Sequence, residues 1–351
     1  MNVGATDLES MARLLVSRGK GILAADESQP TMAKRLAALG IENTEESRRR
    51  YRQMLFTTPG LGAFISGVIL FDETIRQRAD DGTLFPDVLT RQGILPGVKV
   101  DKGTKPLAGA PGELITEGLD GLRARLTEYK ALGARFAKWR AVITIGSGIP
   151  SHYCIEANAH ALARYAVLCQ ETGLVPIVEP EVLMDGDHPI ARCFAVTEAT
   201  LHAVFAALHH QGVVLEALLL KPNMVLAGKD CPHQADVQEV AEATIRCLRR
   251  AVPAAVPGIV FLSGGQDELQ ATAHLNAMNA ADGIQPWALS FSYARALQAS
   301  AMRTWQGQAS QVPAAQDALA RRARCNSAAR EGRYTPELEH AGREISGAGL
   351  P

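Results

Sequence analysis

Eight short apolar runs recur along this chain: GILAA (21–25), GVILF (67–71), GVKV (97–100), FAKW (136–139), LVPIVE (174–179), ALLLK (217–221), GIVFLS (258–263) and WALSF (287–291). Nearly continuous apolar runs of this length read as strands buried on both faces, and such strands belong to parallel sheets. Between them lie TEGLDGLRARLTEYKALG (116–133), HYCIEANAHALARYAVLCQETG (152–173), HPIARCFAVTEATLHAVFAALHH (188–210), ADVQEVAEATIRCLRRAV (235–252) and DELQATAHLNAMNA (267–280). Apolar residues recur there at three- and four-residue steps, which predicts amphipathic helices. Eight strands alternating with helices, with no GxGxxG after the first, favour a closed (β/α)8 barrel over a doubly wound open sheet.

That reading makes the chain a single α/β domain. No Pro/Gly/Ser linker divides it, so the barrel is expected over residues 1–335, with 336–351 as a C-terminal tail. The closing stretch GRYTPELEHAGREISGAGLP lacks periodicity and predicts a flexible segment. At the other end Thr6 and Glu9 have capping-box spacing, which predicts an N-terminal helix. That end lacks the apolar core of a signal peptide, and no apolar run approaches the ~20 residues that span a bilayer, so no membrane partner is expected. Charge is balanced, 36 basic against 37 acidic residues, so no global field favours nucleic acid. The expected partner is a small molecule or another protein. Six cysteines (154, 169, 193, 231, 247 and 325) form no CxxC pair and read as reduced thiols of a cytoplasmic protein.

A barrel places its chemistry at the C-terminal strand ends, from which the active-face loops emerge. Asp26 follows the first run, Lys99 lies in the third, Lys138 and Arg140 mark the fourth, Glu179 the fifth, Lys221 the sixth and Ser263 the seventh, and Arg295 lies just beyond the eighth. The second run ends in Asp72 and Glu73, which receive no role. Only 9 of the 36 basic residues are lysines. Codon bias accounts for such a ratio; so does retention of lysine where a neutral amine nucleophile is needed, which arginine does not supply. A buried lysine is either salt-bridged for structure or tuned to attack a carbonyl. Lys221 closes a leucine run, and Lys138 and Glu179 are expected on the two preceding strand ends. Desolvation and a second ammonium nearby would favour the neutral amine, and Glu179 would shuttle its protons.

The FLSGG string puts Ser263, Gly264 and Gly265 directly after the seventh strand, where glycine lets backbone N–H groups turn toward an anion. With Arg295 they form a candidate phosphate clamp, in the loops where barrels commonly bind phosphate. Arg35, Lys99 and Arg140 are candidates for a second anion across the mouth. The residues alone thus point to an aldolase or isomerase that handles a phosphorylated sugar through a lysine Schiff base.

The strings GKGILAADES, ENTEESRRRYRQMLF, KVDKGTKPLAG, GLDGL, FAKWR, ANAHALARYA, VPIVEPE, LLLKPNMV, FLSGGQ and FSYARALQAS, in this order, resemble class I fructose-bisphosphate aldolase from about residue 5 to 335. The resemblance implies cleavage of fructose 1,6-bisphosphate, with Lys221 as the Schiff-base lysine and Glu179 as general acid/base. Glu181 would be a second carboxylate beside it, and Asp26 would assist removal of the C4 hydroxyl proton. Lys138 would support the Schiff base by charge. Ser263, Gly264 and Arg295 would bind the C1 phosphate, Arg35, Lys99 and Arg140 would belong to the C6 end, and Gly265, Ser28 and Thr31 would also be substrate- or phosphate-binding residues. It further implies a homotetramer, sugar phosphates as partners, and no cofactor or metal, because the iminium is itself the electron sink. His209, His210 and His233 agree, lying away from strand ends without ligand spacing. This chain departs from the family pattern at Ala294, where glycine is common, at Thr31, where serine is frequent, and in lacking a tyrosine after Tyr334.

Overall fold

The computed structural model describes residues 3–281 and 283–340, with 3–5 as backbone only. Its strands are β1 (Gly21–Ala25), β2 (Ile65–Leu70), β3 (Leu95–Lys99), β4 (Thr104–Pro106), β5 (Leu114–Thr116), β6 (Phe136–Ile143), β7 (Val175–Val182), β8 (Leu219–Leu220), β9 (Gly258–Phe261) and β10 (Ala288–Tyr293). Its α-helices are α1 (Val3–Leu15), α2 (Gln29–Ala37), α3 (Glu45–Phe56), α4 (Asp72–Arg76), α5 (Phe85–Thr90), α6 (Leu122–Ala131), α7 (His152–Thr172), α8 (Ile190–His210), α9 (Val237–Ala251), α10 (Glu268–Ala280), α11 (Arg295–Trp305) and α12 (Val312–Arg330). The eight expected strands close a parallel barrel in the order β1-β10-β9-β8-β7-β6-β3-β2. The remaining two, β4 and β5, pair as an antiparallel hairpin that the apolar pattern did not signal, because it is short and only partly buried.

Two hydrophobic layers follow from strand alternation. Outward-facing residues pack under the surrounding helices, as Val178, Phe261 and Leu220 do. Inward-facing residues fill the barrel: Ile22, Ala24, Ile69, Phe136, Val175, Ile177, Leu219 and Val260 form one cluster with Leu8, Ala12 and Leu15 of α1. Helix α1 thus plugs the N-terminal end of the barrel. Phe136 fills the space beside Gly97, where an added Cβ would lie 2.3 Å from its ring. That close approach explains a glycine inside a strand.

Several expectations change. Helix α1 begins at Val3, so Thr6 lies inside it and does not cap it. Strands β6 and β7 outrun their apolar strings to Ile143 and Val182, because charged residues occupy inward positions at their upper ends. Helix α8 is long and apolar enough to cross a membrane by length and composition, against the expectation of no such run. It packs instead between α7 and α9 on the outside of the barrel. Residues 332–340, expected to be flexible, are fastened down. Tyr334 N donates to Asn276 Oδ1 (2.9 Å), and Glu339 accepts the Tyr334 hydroxyl (2.8 Å) and pairs with buried Arg322. A buried ion pair holds this segment without any apolar period to announce it. Residues 341–351 of the expected tail lie outside the described residues.

Candidate active site

The alternation that packs the barrel interior also builds the site. Ile22 and Ala24 face inward, and two residues on comes Asp26; Phe136 is followed by Lys138 and Arg140, Ile177 by Glu179 and Glu181, Leu219 by Lys221. Period-two geometry stacks each charged group directly above an apolar one. Register aligns the strands so that Lys99 pairs across to Lys138, and Arg140 to Glu179. A layer of charge therefore caps a dry core. The Lys221 N–H donates to Val178 O (2.8 Å) as the last rung of β8. Pro222, with no N–H, ends the ladder there.

Glu179 lies between two ammonium groups, 3.1 Å from Lys221 Nζ and 3.0 Å from Lys138 Nζ, and Lys138 is also 2.6 Å from Asp26. Each of the four is more than nine-tenths buried. Burial raises the pKa of Asp26, but the ammonium groups of Lys138, Lys221 and Lys99 outweigh it and hold the carboxyl below its usual range. Glu179 is likewise pushed up by burial and more strongly down by Lys138, Lys221 and Arg140. Lys138, facing two carboxylates, is held above the ordinary lysine value despite its burial. The contact of Lys138 with Glu179 Oε2 is an ion pair without a directed hydrogen bond, so this buried oxygen keeps a lone pair open.

All the residues given a catalytic or phosphate-binding role in the sequence line one cavity of about 460 Å³ at this end of the barrel, Ser28 and Thr31 included. The two sides of its mouth differ electrostatically. Arg35 pairs with Glu27 (2.6 Å), Lys99 with Asp101 (3.3 Å) and Arg140 with Glu181, so each cation on this side already has a carboxylate. On the other side Arg295 forms no ion pair among the described residues and is exposed. It opens α11, whose N-terminal dipole adds to its charge. Gly264 and Gly265 adopt φ +55° and +88°, and a Cβ on Gly265 would sit 2.9 Å from Met184 Sδ, so both positions require glycine. Ala294 has φ −99°, where alanine is accommodated without left-handed strain.

A sequence model of class-I fructose-bisphosphate aldolase matches residues 7–347. The chain belongs to this family. It is 63% identical over 298 residues to a probable class 1 fructose-bisphosphate aldolase of Xanthomonas campestris pv. campestris, an overlap of 85% of this chain and 89% of the relative. It is 55% identical to a cytosolic fructose-bisphosphate aldolase of Arabidopsis thaliana, covering 94% and 92% of the two chains. A solved aldolase of Plasmodium falciparum, in complex with TRAP and a small-molecule inhibitor, superposes with TM-score 0.93 at 51% identity, covering 95% of this chain and 96% of that one.

Around this aldolase-family site stand residues that the sequence reading passed over. Glu27, adjacent to Asp26, receives Arg35, Arg52 (2.6 Å) and Gln298 (2.9 Å) in a buried network. Asp101 accepts the Gly103 and Arg140 amides, tying the end of β3 to β6. Its position two residues after Lys99 was the signal available. Asp72 and Glu73 belong outside the site: Asp72 accepts the Tyr129 hydroxyl (2.8 Å), and Glu73 receives Arg48 (2.7 Å) and Gln29 (3.0 Å).

His274, on α10, had no signal at all in the sequence. Burial pushes its imidazole down from 6.5 to about 4, against the opposing pull of Asp267. The unfolded chain therefore takes up a proton near pH 6.5 that the folded chain refuses until about pH 4. Stability falls as pH drops through that window, by about 3 kcal/mol for this group. Glu179 and Asp26 lose their contributions only below their usual values of 4.5 and 3.8. Urea unfolding at a series of pH values should show the His274→Asn protein losing less stability than the unmodified protein between pH 6.5 and 4.5; parallel curves would refute the assignment.

Proposed function

We propose that the enzyme reversibly cleaves fructose 1,6-bisphosphate to dihydroxyacetone phosphate and glyceraldehyde 3-phosphate through a Schiff base on Lys221. The observation that carries this reading is the placement of Glu179 between Lys221 and Lys138, on the floor of a cavity whose Arg295 side presents uncompensated positive charge. Lys221 passes a proton to Glu179 Oε1, 3.1 Å away, and attacks the C2 carbonyl. Glu179 returns the proton as the carbinolamine loses water, which leaves the iminium. Asp26 then takes the C4 hydroxyl proton, the C3–C4 electron pair moves toward the iminium, and glyceraldehyde 3-phosphate departs. Protonation of the enamine at C3 and hydrolysis release dihydroxyacetone phosphate. Because the iminium is the electron sink, the reading calls on no metal or other cofactor.

Lys138 keeps Asp26 and Glu179 ionised side by side, and Glu181 acts through Arg140. The C1 phosphate is assigned to Ser263, Gly264, Gly265 and Arg295. The C6 phosphate is assigned to Arg35, Lys99, Arg140, Ser28 and Thr31, whose cations are already moderated by carboxylates. Sugar phosphates as small-molecule partners and a homotetramer complete the reading as expectations of the family resemblance, and a cytoplasmic site of action rests on similarity to relatives such as the cytosolic enzyme of Arabidopsis thaliana. The test is borohydride reduction with dihydroxyacetone phosphate, followed by peptide mass mapping. The adduct should map to Lys221. An adduct elsewhere, or activity abolished by EDTA, overturns the mechanism.

A further inference from the structure

Behind the Ser263–Gly264–Gly265 loop lies a pair of side chains that touches neither the cavity nor the charged layer. Gln266 is buried, and both its backbone N–H (2.9 Å) and its Nε2 (3.0 Å) donate to the Ser263 carbonyl. With Nε2 committed there and to Met224 Sδ (3.6 Å), the Gln266 Oε1 is what faces His274 Nδ1, at 2.5 Å. This fixes the imidazole tautomer: Nδ1 carries the proton and donates. Because a trans peptide unit is planar, its C=O and N–H point in opposite directions. Pinning the Ser263 oxygen toward buried Gln266 therefore turns the Gly264 N–H the other way, toward the cavity that Ser263, Gly264 and Gly265 line. The left-handed conformations of the two glycines leave the loop little intrinsic preference for this shape. The buried hydrogen bonds supply it.

We propose that Gln266 and His274 are positioning residues for phosphate recognition: His274 orients the Gln266 amide, and Gln266 holds the loop so that its N–H groups meet the phosphate. The proposal rests on the assignment of a substrate phosphate to this loop. Saturation of imine formation, read by borohydride trapping, is compared for dihydroxyacetone phosphate and for dihydroxyacetone, which presents the same carbonyl without the anion. Gln266→Leu and His274→Leu should each raise the half-saturating concentration of the phosphate ester roughly tenfold, while that of dihydroxyacetone stays within about twofold. His274→Asn, whose amide donates to the same Gln266 oxygen, should restore the phosphate ester to within about threefold of the unmodified protein. If Gln266→Leu does not fold, the two His274 variants carry the comparison. Equal weakening of both ligands, no change in either, or failure of asparagine to rescue overturns the proposal. Arg295→Gln separates the two layers of inference: if it too leaves dihydroxyacetone phosphate unaffected, the phosphate assignment itself fails, whereas weakening by Arg295→Gln alone refutes only the positioning pair.

Discussion

Replacing Lys221 by arginine should abolish the borohydride-trapped adduct and lower kcat by roughly 10⁵-fold, the scale expected when a covalent nucleophile is removed. Arginine keeps the positive charge 3.1 Å from Glu179 that the buried site depends on, so the electrostatics survive and the chemistry does not. A guanidinium stays protonated and offers no lone pair to a carbonyl. Comparison of turnover, adduct mass and thermal midpoint separates the two effects. A folded Lys221→Arg protein with more than about one-hundredth of normal activity would rule out the Schiff base at this position.

The largest effect on stability is expected from Lys138→Met. Lys138 is the shared counter-ion of Asp26 and Glu179, and removing it leaves two carboxylates facing each other in a buried layer. Breaking a buried pair on one side costs about 3–5 kcal/mol, because the remaining charge keeps its desolvation penalty without compensation. Both carboxyls sit below their usual values in the folded protein, so their contribution is present above about pH 4.5 and is lost as pH falls through the folded values. The stability gap between Lys138→Met and the unmodified protein should therefore be widest near neutral pH and narrow on acidification, as measured by urea unfolding. A gap below about 1 kcal/mol at pH 7 would show that Lys221 alone suffices to hold Glu179.

The two predictions rest on residues that were legible to different degrees. Lys221 stood out because it ends a leucine run and precedes a proline, so its strand, its burial and its place at the rim could be read locally. Lys138, Arg140, Glu179 and Glu181 were legible as strand-end charges, yet their strands were cut short by three or four residues, because an apolar-run criterion stops where an inward-facing strand turns polar. Arg35, Lys99 and Arg140 were read as candidates for a second anion, with no carboxylate partners named. Glu27 and Asp101 stand eight and two residues from the cations they pair with and were open to a local reading, but Glu181 lies 41 positions from Arg140, which no local pattern registers. The fastening of residues 332–340 through Arg322 and Glu339 was missed for the same reason.

By itself the sequence determined the eight-strand barrel, the end at which the cavity opens and most of the charged residues that line it. Each of these follows from hydrophobic period and short motifs, which act within a few residues. Tertiary structure alone decided which charges neutralise one another, that Glu179 lies between two ammonium groups, and that Gln266 and His274 brace the glycine loop from behind. Ion pairs and buried hydrogen bonds depend on distances of about 3 Å between atoms brought together by barrel closure, and the order of residues along a chain does not encode such distances locally.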